Sequence, residues 1–532
     1  MAPQRSRYAA PAAAMPAEGW RMERLTPPSR LFGANGVRGG PDGRLYVAQV
    51  SGSQISAIDV NSGAVEAISP KGGDIVAPDD LVFDGEGNLF ATEITEGRVC
   101  MRAPNGATRV IQGDMPCANP IAFHQGRLYA GECRPGGRIM QLDLNGGAAR
   151  VIAADLPMPN AMDVGPDGKL YFPLMGANEI WRVDLEGSAP EKVAGDLGVP
   201  DSVKFDAEGF IVSTQVASGQ VLRIDPRSGE RGVLANIAPG LDNVAFVGER
   251  MFVSSISGQI NEIDARGAVR PLIEDGFNWP LGLAMGGDGV LFVADGPYCY
   301  TLRPGEARQV AGMLFTPGCP GYVRGVAASS APGEVIVATA NGHIARWRPA
   351  ARESEFLAAG FDRLYGVARG ADGAIVFAEA GAGRVHVLKN GATEVLASGL
   401  REPMGVAVTA DGARVVTEEA AGRVIKIEGG RVETLLDGLG QPQGVFARGD
   451  ALYVVDAGRK ELIAYDLARK RFSVIASGLP VGAPAGVIPK FLGAIGELSG
   501  PMGPFAGIAG DDRGALFVSA DAEGAVLAFR PL

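Results

Sequence analysis

One unit of about 40 residues is written twelve times along the chain, and no other feature limits the fold as strongly. It runs as a short apolar strand, a turn such as Pro-Asp-Gly, a strand such as "LYVA", a small-residue turn, a strand such as "RVxxID" and a closing strand such as "VLASGL". The central apolar residue of the first strand recurs as Val37, Leu81, Ile121, Met162, Val203, Val244, Leu283, Val326, Val367, Val406, Val445 and Ile508. Most spacings fall between 39 and 44, and only the last is longer, stretched by an insertion at 481–502. A four-stranded unit of this length is the mark of a β-propeller blade, a meander that buries its faces on its neighbours. The expected fold is all-β, with two tandem six-bladed β-propellers made of twelve four-stranded blades. A single twelve-bladed ring would leave a very wide centre.

Ring closure bears on the domain boundary. The chain ends in "GAVLAFRPL", a third strand with no fourth, and begins with "WRMERLTPP", a fourth strand with no blade before it. An unpaired edge is a liability, so each ring needs its last blade completed. If each half closes on itself, strand 20–27 completes the sixth blade and "VRPLIEDG" at 269–276 completes the twelfth. The domains are then a flexible tail at 1–19, a first propeller at 20–267 and a second at 268–532. Alternatively, strand 20–27 crosses to the twelfth blade. The insertion reads either as a lid over the second propeller or as a tolerated surface loop with one helical turn.

Composition narrows the function classes. The net charge is −11, with acids spread along the chain, which argues against nucleic-acid or anionic-membrane surfaces. Five cysteines in 532 residues make no disulfide framework, and Cys117 and Cys133 read as buried free thiols. Three histidines exclude a His-rich zinc site. The first nineteen residues lack the apolar core of a signal peptide, and no apolar run reaches the roughly 18 residues a membrane span needs. A soluble, cytoplasmic protein without nucleic-acid or membrane partners is expected.

Two residues before each apolar marker, the first half reads Asn35, Asp79, Asn119, Asn160, Asp201 and Asp242. The second half reads Leu281, Arg324, Tyr365, Met404, Gln443 and Ala506. Inner strands of a propeller line its channel, so one register points at one axis. Three carboxylates converging there raise one another's pKa unless a cation offsets them. Asp and Asn oxygens are hard ligands, and a ring of this size favours calcium, with magnesium, manganese or zinc as alternatives. Turn capping by Asx residues explains one or two such positions, not six.

These stretches resemble a known group. "PDDLVFDGEGNLF", "MPNAMDVGPDGKLYF", "VPDSVKFDAEG" and "GLDNVAF" are similar to the gluconolactonase/senescence marker protein/luciferin-regenerating enzyme family and the paraoxonases, over about residues 20–267. The resemblance implies a metal held by Asp79, Asn160, Asp201 and Asp242, with Asp242-Asn243 matching the paraoxonase pattern. Asp79 stands where the family usually has Glu, Asp201 where it usually has Asn, and Asn119 where paraoxonases carry a catalytic His. The second half resembles generic NHL-type repeats.

The family implies hydrolysis of a lactone or related ester, with a cation polarising the carbonyl and activating water. Asp242 is the first choice of general base and Asp201 the second. Asn119, Asn35 and Asn243 are candidate substrate ligands. Glu93 and Glu132, at the ends of second strands, read as substrate contacts or as solvated loop carboxylates, since the second half has Asp295, Glu379, Glu418 and Asp456 there. Met115, Met158, Pro159 and Leu241 at the rim hint at a partly apolar small-molecule substrate. His124 is expected on the opposite face. Two other readings stand beside the hydrolase: a scaffold whose metal is structural and whose second propeller makes protein contacts, and a propeller lyase.

Overall fold

A computed structural model describes residues 7–8, 14–303 and 305–532. Its sheets are twelve antiparallel meanders. Helix is confined, among the described residues, to three single turns of 3-10 type, and no helix is long and apolar enough to cross a membrane. Two compact units result.

The first unit comprises Leu31–Asp275 and Val487–Glu497. Its six inner strands are Val37–Gly39, Pro78–Phe83, Ala118–His124, Asp163–Val164, Pro200–Phe205 and Leu241–Val247, which number its blades 1 to 6. Burial grades outward from the axis. The second strand of blade 1, Leu45–Gln49, is buried on both faces, so it reads as an unbroken apolar run, whereas the outer strand Val65–Ser69 is half exposed. Cores lie between neighbouring blades. Leu81, Ala91 and Leu89 of blade 2 pack on Ala48, Ile55 and Ala57 of blade 1. Val37 and Val47 of blade 1 pack on Phe252 and Ile260 of blade 6, which closes the ring. Hairpin turns follow the Asx rule: Asp206 Oδ1 accepts from the N–H groups of Glu208 and Phe210, and Gly209 takes φ +84°.

The second unit comprises Met1–Arg30, Gly276–Gly486 and Leu498–Leu532. Its inner strands are Pro280–Met285, Val323–Ala328, Leu364–Arg369, Pro403–Val408, Pro442–Arg448 and Ile508–Gly510, blades 7 to 12. Ser519 Oγ of blade 12 donates to Leu281 O of blade 7 at 2.6 Å, closing this ring.

The boundary differs from the expected division at 267. Val269–Ile273 is the fourth strand of blade 6, paired with Ile260–Ile263. Trp20–Arg24 crosses to blade 12, where Met22 stands opposite Phe529 and Arg24 Nε bonds Glu523 Oε1 at 2.8 Å. Closure entropy gives the reason: the Asp264–Gly267 turn lets 269–273 pair with the strand just before it at small cost. Blade 12 has only the amino-terminal strand left to complete it. The 1–19 segment, expected as a flexible tail, is tied down where it is described: Met15–Pro16 pairs with Ser477 and Ala476 of blade 11, and Arg7 is buried. Residues 1–6 and 9–13 lie outside the described residues. The insertion has no helix, and its middle part groups with the first unit, not the second.

Leu25 N donates to Val526 O at 2.9 Å, so the amide of Glu23, two residues back, faces the same ladder. Glu23→Pro should remove that bond and cost about 1–3 kcal/mol. Hydrogen exchange at Ala525–Pro531 should rise while amides of Leu31–Asp275 keep their protection. Equal loss in both segments would contradict this assignment of the strand.

Candidate active site in the first propeller

Five of the six register residues are linked to one another, Asn35 to Asp242 and Asn160 to Asp201 by hydrogen bonds and Asp79 to both carboxyls by charge. Four of the inner strands are not regular. Strand pairing shifts between Pro78 and Leu81, Ala118 and Ile121, Pro200 and Ser202, and Leu241 and Val244. Two residues apart on a regular strand share a face. The bulge breaks that rule and re-aims a side chain. The markers Leu81, Ile121, Val203 and Val244 therefore enter the blade cores while the residues two before them turn to the channel.

All six are buried or nearly so, with Asp79, Asn119, Asn160, Asp201 and Asp242 between 4% and 9% exposed. Asn35 Nδ2 donates to Asp242 Oδ2 at 3.2 Å, and Asn160 Nδ2 donates to Asp201 Oδ2 at 3.1 Å. The backbone fixes both amides. Asn35 Oδ1 accepts from Val50 N at 3.1 Å, and Asn160 Oδ1 from Ala161 N at 2.8 Å. The Asn119 amide makes no side-chain hydrogen bond among the described residues.

The electrostatics are one-sided. Burial pushes the Asp79 carboxyl up to about 8, with Asp80 adding to it. Burial, then Asp79, holds Asp201 well above the usual carboxylate range, and burial, then Asp201 and Asp79, does the same to Asp242. Among the described residues none of the three forms an ion pair. The donor set, three carboxylates and three amides, is of the kind a hard divalent cation takes. Among the described residues, however, no three His, Cys, Asp or Glu side chains stand together as a ready-made metal cluster, so amide oxygens have to share in any coordination.

The channel holds a second polar layer that the register reading missed. Asp80 is 1% exposed and lies 3.8 Å from Arg38. Arg38 donates to Leu81 O at 3.0 Å and Ile121 O at 3.2 Å, bridging two inner strands. Lys204, also buried, donates to Met162 O at 3.1 Å, and burial lowers it to about 8. Both cations act on Asp80, while the ring above receives neither as a partner. The signal was legible as Asp79-Asp80 in tandem and as Arg38 and Lys204 inside strands that should be apolar. Cys133 was missed too. Its buried thiol is raised by burial first and then by Asp79, Asp201, Cys117 and Asp242, which puts it beside the ring.

Several expected contacts lie elsewhere. Glu93 and Glu132 are fully buried and turned to loop backbone and arginines. Glu93 accepts from Val76 N and Arg98; Glu132 accepts from Arg134 Nη2 at 3.0 Å and Arg138 Nε at 3.1 Å. Asp456 does the same for Gly440 N and Gln441 N in a ring without the Asx set, so the device is structural. Neither glutamate is available to a substrate. Asn243 Oδ1 accepts from Val244 N at 2.9 Å and is 1% exposed, which removes it from the candidate substrate ligands. Met115 and Leu241 are sealed in inter-blade cores and do not form a rim. His124 ends the strand that Asn119 begins, so it lies toward the other face.

Val487–Glu497 runs along the mouth loops of blades 1 to 3. A β-carbon at Gly72 would meet Ile488 O at 2.9 Å, one at Gly493 would meet Thr95 O at 3.1 Å, and one at Gly496 would meet Cys117 Sγ at 3.1 Å.

Fold and site define a six-bladed propeller with an acidic axial mouth. Residues 21–257 match the family model described as SMP-30/Gluconolactonase/LRE-like region, a range that begins in the strand Trp20–Arg24 of blade 12 and runs through the first propeller to just past the second strand of blade 6. Similar solved structures include virginiamycin B lyase from Staphylococcus aureus, at 16% identity over 52% of this chain and 96% of that one, with TM-score 0.39. A gluconolactonase from Xanthomonas campestris is 16% identical over 46% of this chain and 96% of that one, with TM-score 0.38. A chain of a nidogen/laminin complex is 20% identical over 42% and 91%, also with TM-score 0.38. No curated protein matches the chain.

Two outcomes are expected. A carboxyl whose folded pKa exceeds its unfolded value binds its proton more tightly when folded. Its stabilising effect is therefore complete at low pH and is lost as pH rises from about 4 to the folded value, about 8 for Asp79. EDTA-treated protein should lose at least about 5 °C of Tm between roughly pH 5 and 8, relative to Asp79→Asn, given about 2–4 °C per kcal/mol for a domain of this size. A slope identical in the two proteins would refute the buried, protonated ring. Separately, Glu132→Gln should lower stability in urea by about 1–3 kcal/mol, because it weakens a buried acceptor whose arginine partners remain about one-third exposed. An unchanged urea midpoint would return Glu132 to the list of free carboxylates.

Proposed function

We propose that the first propeller hydrolyses a lactone or a related ester at the Asx ring. The observation that carries this reading is the set of three buried carboxyls with no cationic partner among the described residues, at the axial mouth of a propeller that matches the gluconolactonase-type family. A hard divalent cation, calcium before magnesium, manganese or zinc, held by Asp79, Asn160, Asp201 and Asp242, supplies the positive charge that restores the ionised carboxylates and polarises the substrate carbonyl.

The chain's own groups divide the remaining work. Asn35 holds Asp242 through Oδ2, which leaves Oδ1 to accept the proton of the attacking water. Asp201 is held in the same way by Asn160 and is the second candidate base. The uncommitted amide of Asn119 donates to the substrate oxygen. Arg38 and Lys204 close the channel below, so substrate enters from the mouth side only. Val487–Glu497 replaces the sealed rim residues as the apolar wall, exposing Ile488 and Phe491, and this favours a lactone with an apolar portion. Five free cysteines fit a reducing, cytoplasmic compartment.

A lactone panel assayed with native protein, EDTA-treated protein and Asp242→Asn tests the reading. Native turnover should vanish with EDTA and return with added calcium. Asp242→Asn keeps the side-chain shape and should lower kcat by about 10²–10⁴, the usual contribution of a general base. Tight calcium binding with no turnover on any lactone would instead leave the ring as a structural site of a binding scaffold.

A further inference from the structure

The second propeller carries the opposite problem at the same register. Its six inner strands all have glycine just before the apolar marker: Gly282, Gly325, Gly366, Gly405, Gly444 and Gly507. A β-carbon at any of them would run into the backbone of the next blade; at Gly282 it would lie 2.7 Å from Arg324 O. The inner strands therefore close tightly and leave an axial cavity of about 30 Å³, room for water but not for an organic molecule. Whatever binds at this axis lies above the glycines, against the register side chains.

Arg324 dominates that layer. It is 1% exposed, and its guanidinium carbon stands 5.4 Å from the centre of the Trp279 ring and 5.0 Å from that of Tyr365. Nη2 donates to Gly503 O. Nη1 is buried without a hydrogen-bond partner. Among the described residues no carboxylate pairs with Arg324, and the side chains that act on its charge are Tyr365 and Tyr322. Glu419 sits within reach of Gln443 Nε2, at 3.5 Å, and its charge responds to Glu402, not to Arg324. A guanidinium keeps its proton in proteins, so burial leaves it charged. Two aromatic faces offset part of the desolvation cost, and one neutral carbonyl with the Tyr365 hydroxyl does not complete the balance.

We propose that the axial mouth of the second propeller is a binding site for a small organic carboxylate, held by Arg324 between Trp279 and Tyr365. One guanidinium with no second cation acting on it among the described residues matches a monoanion, not a phosphate dianion. Its planar fork matches a planar carboxylate. Leu281 and Met404 of the same register, and Phe505, whose ring centre lies 5.9 Å from that of Tyr365, are apolar and buried, which fits a short hydrocarbon tail. The site is independent of the hydrolytic reading of the first propeller.

The test uses full-length, EDTA-treated protein, so that the cation site stays silent. Sodium butyrate is titrated against sodium chloride and sodium phosphate at equal ionic strength, with tryptophan fluorescence and Tm as readouts. Butyrate should give a saturable fluorescence change and a rise in Tm, and chloride should give neither. Arg324→Lys should weaken the butyrate response at least about tenfold, and Arg324→Met should abolish it while folding as well as native, since it replaces an unpaired buried charge by an apolar side chain. No saturable response in native protein, an equal response to phosphate, or a butyrate response surviving in Arg324→Met would each overturn the proposal. Should Arg324→Met not fold, the native titration and Arg324→Lys decide it.

Discussion

Three buried carboxyls that act on one another, with no cationic partner among the described residues, are the condition around which the first propeller is arranged. Isolated charges of one sign are not kept buried at neutral pH; they take up protons or a counter-ion. The ring shows the first response in the raised proton affinities of Asp79, Asp201 and Asp242. Burial raises Asp80 in the layer beneath as well, but there Arg38 and Lys204 act against it. The floor of the channel thus carries its own cations, and the mouth above it has none among the described residues.

The two propellers solve the axis differently from one blade plan. In the first, the position before each marker is Gly36, Asp80, Pro120, Ala161, Ser202 or Asn243, a mixed set that leaves the channel polar. In the second, six glycines bring the inner strands together, and the register above them holds one guanidinium where the first ring holds carboxylates. Both mouths thus hold ionisable groups with no partner of opposite charge among the described residues, carboxyls in the first and a guanidinium in the second. Strand geometry sets the position, and the residue type placed there sets the charge.

Much of this was legible in the chain. The twelve markers gave the strand count, and the Asx register gave the residues that meet at the mouth, because a repeat of constant length in a closed ring returns each register to the same height. Glu93 and Glu132 were not separable from such residues by pattern. They stand at strand ends near the same face as Asp79, and only the direction of the side chain, into a loop for one and into the channel for the other, tells them apart. Cys133 escaped because its link to the ring is spatial, with no shared register.

The sequence by itself determined the blades, their number and the height of each polar residue along the axis, since these follow from local periodicity. Tertiary structure decided which ring each terminal strand completes, where the insertion lies and which way each bulged residue faces. Those outcomes depend on pairing between distant segments: Trp20–Arg24 finds its ladder on Ala525–Pro531, about 500 residues away, and no local pattern records that choice. The same holds for the charges. Asp79 and Asp80 are adjacent carboxylates in the chain, and only the folded channel gives one of them cations and leaves the other without.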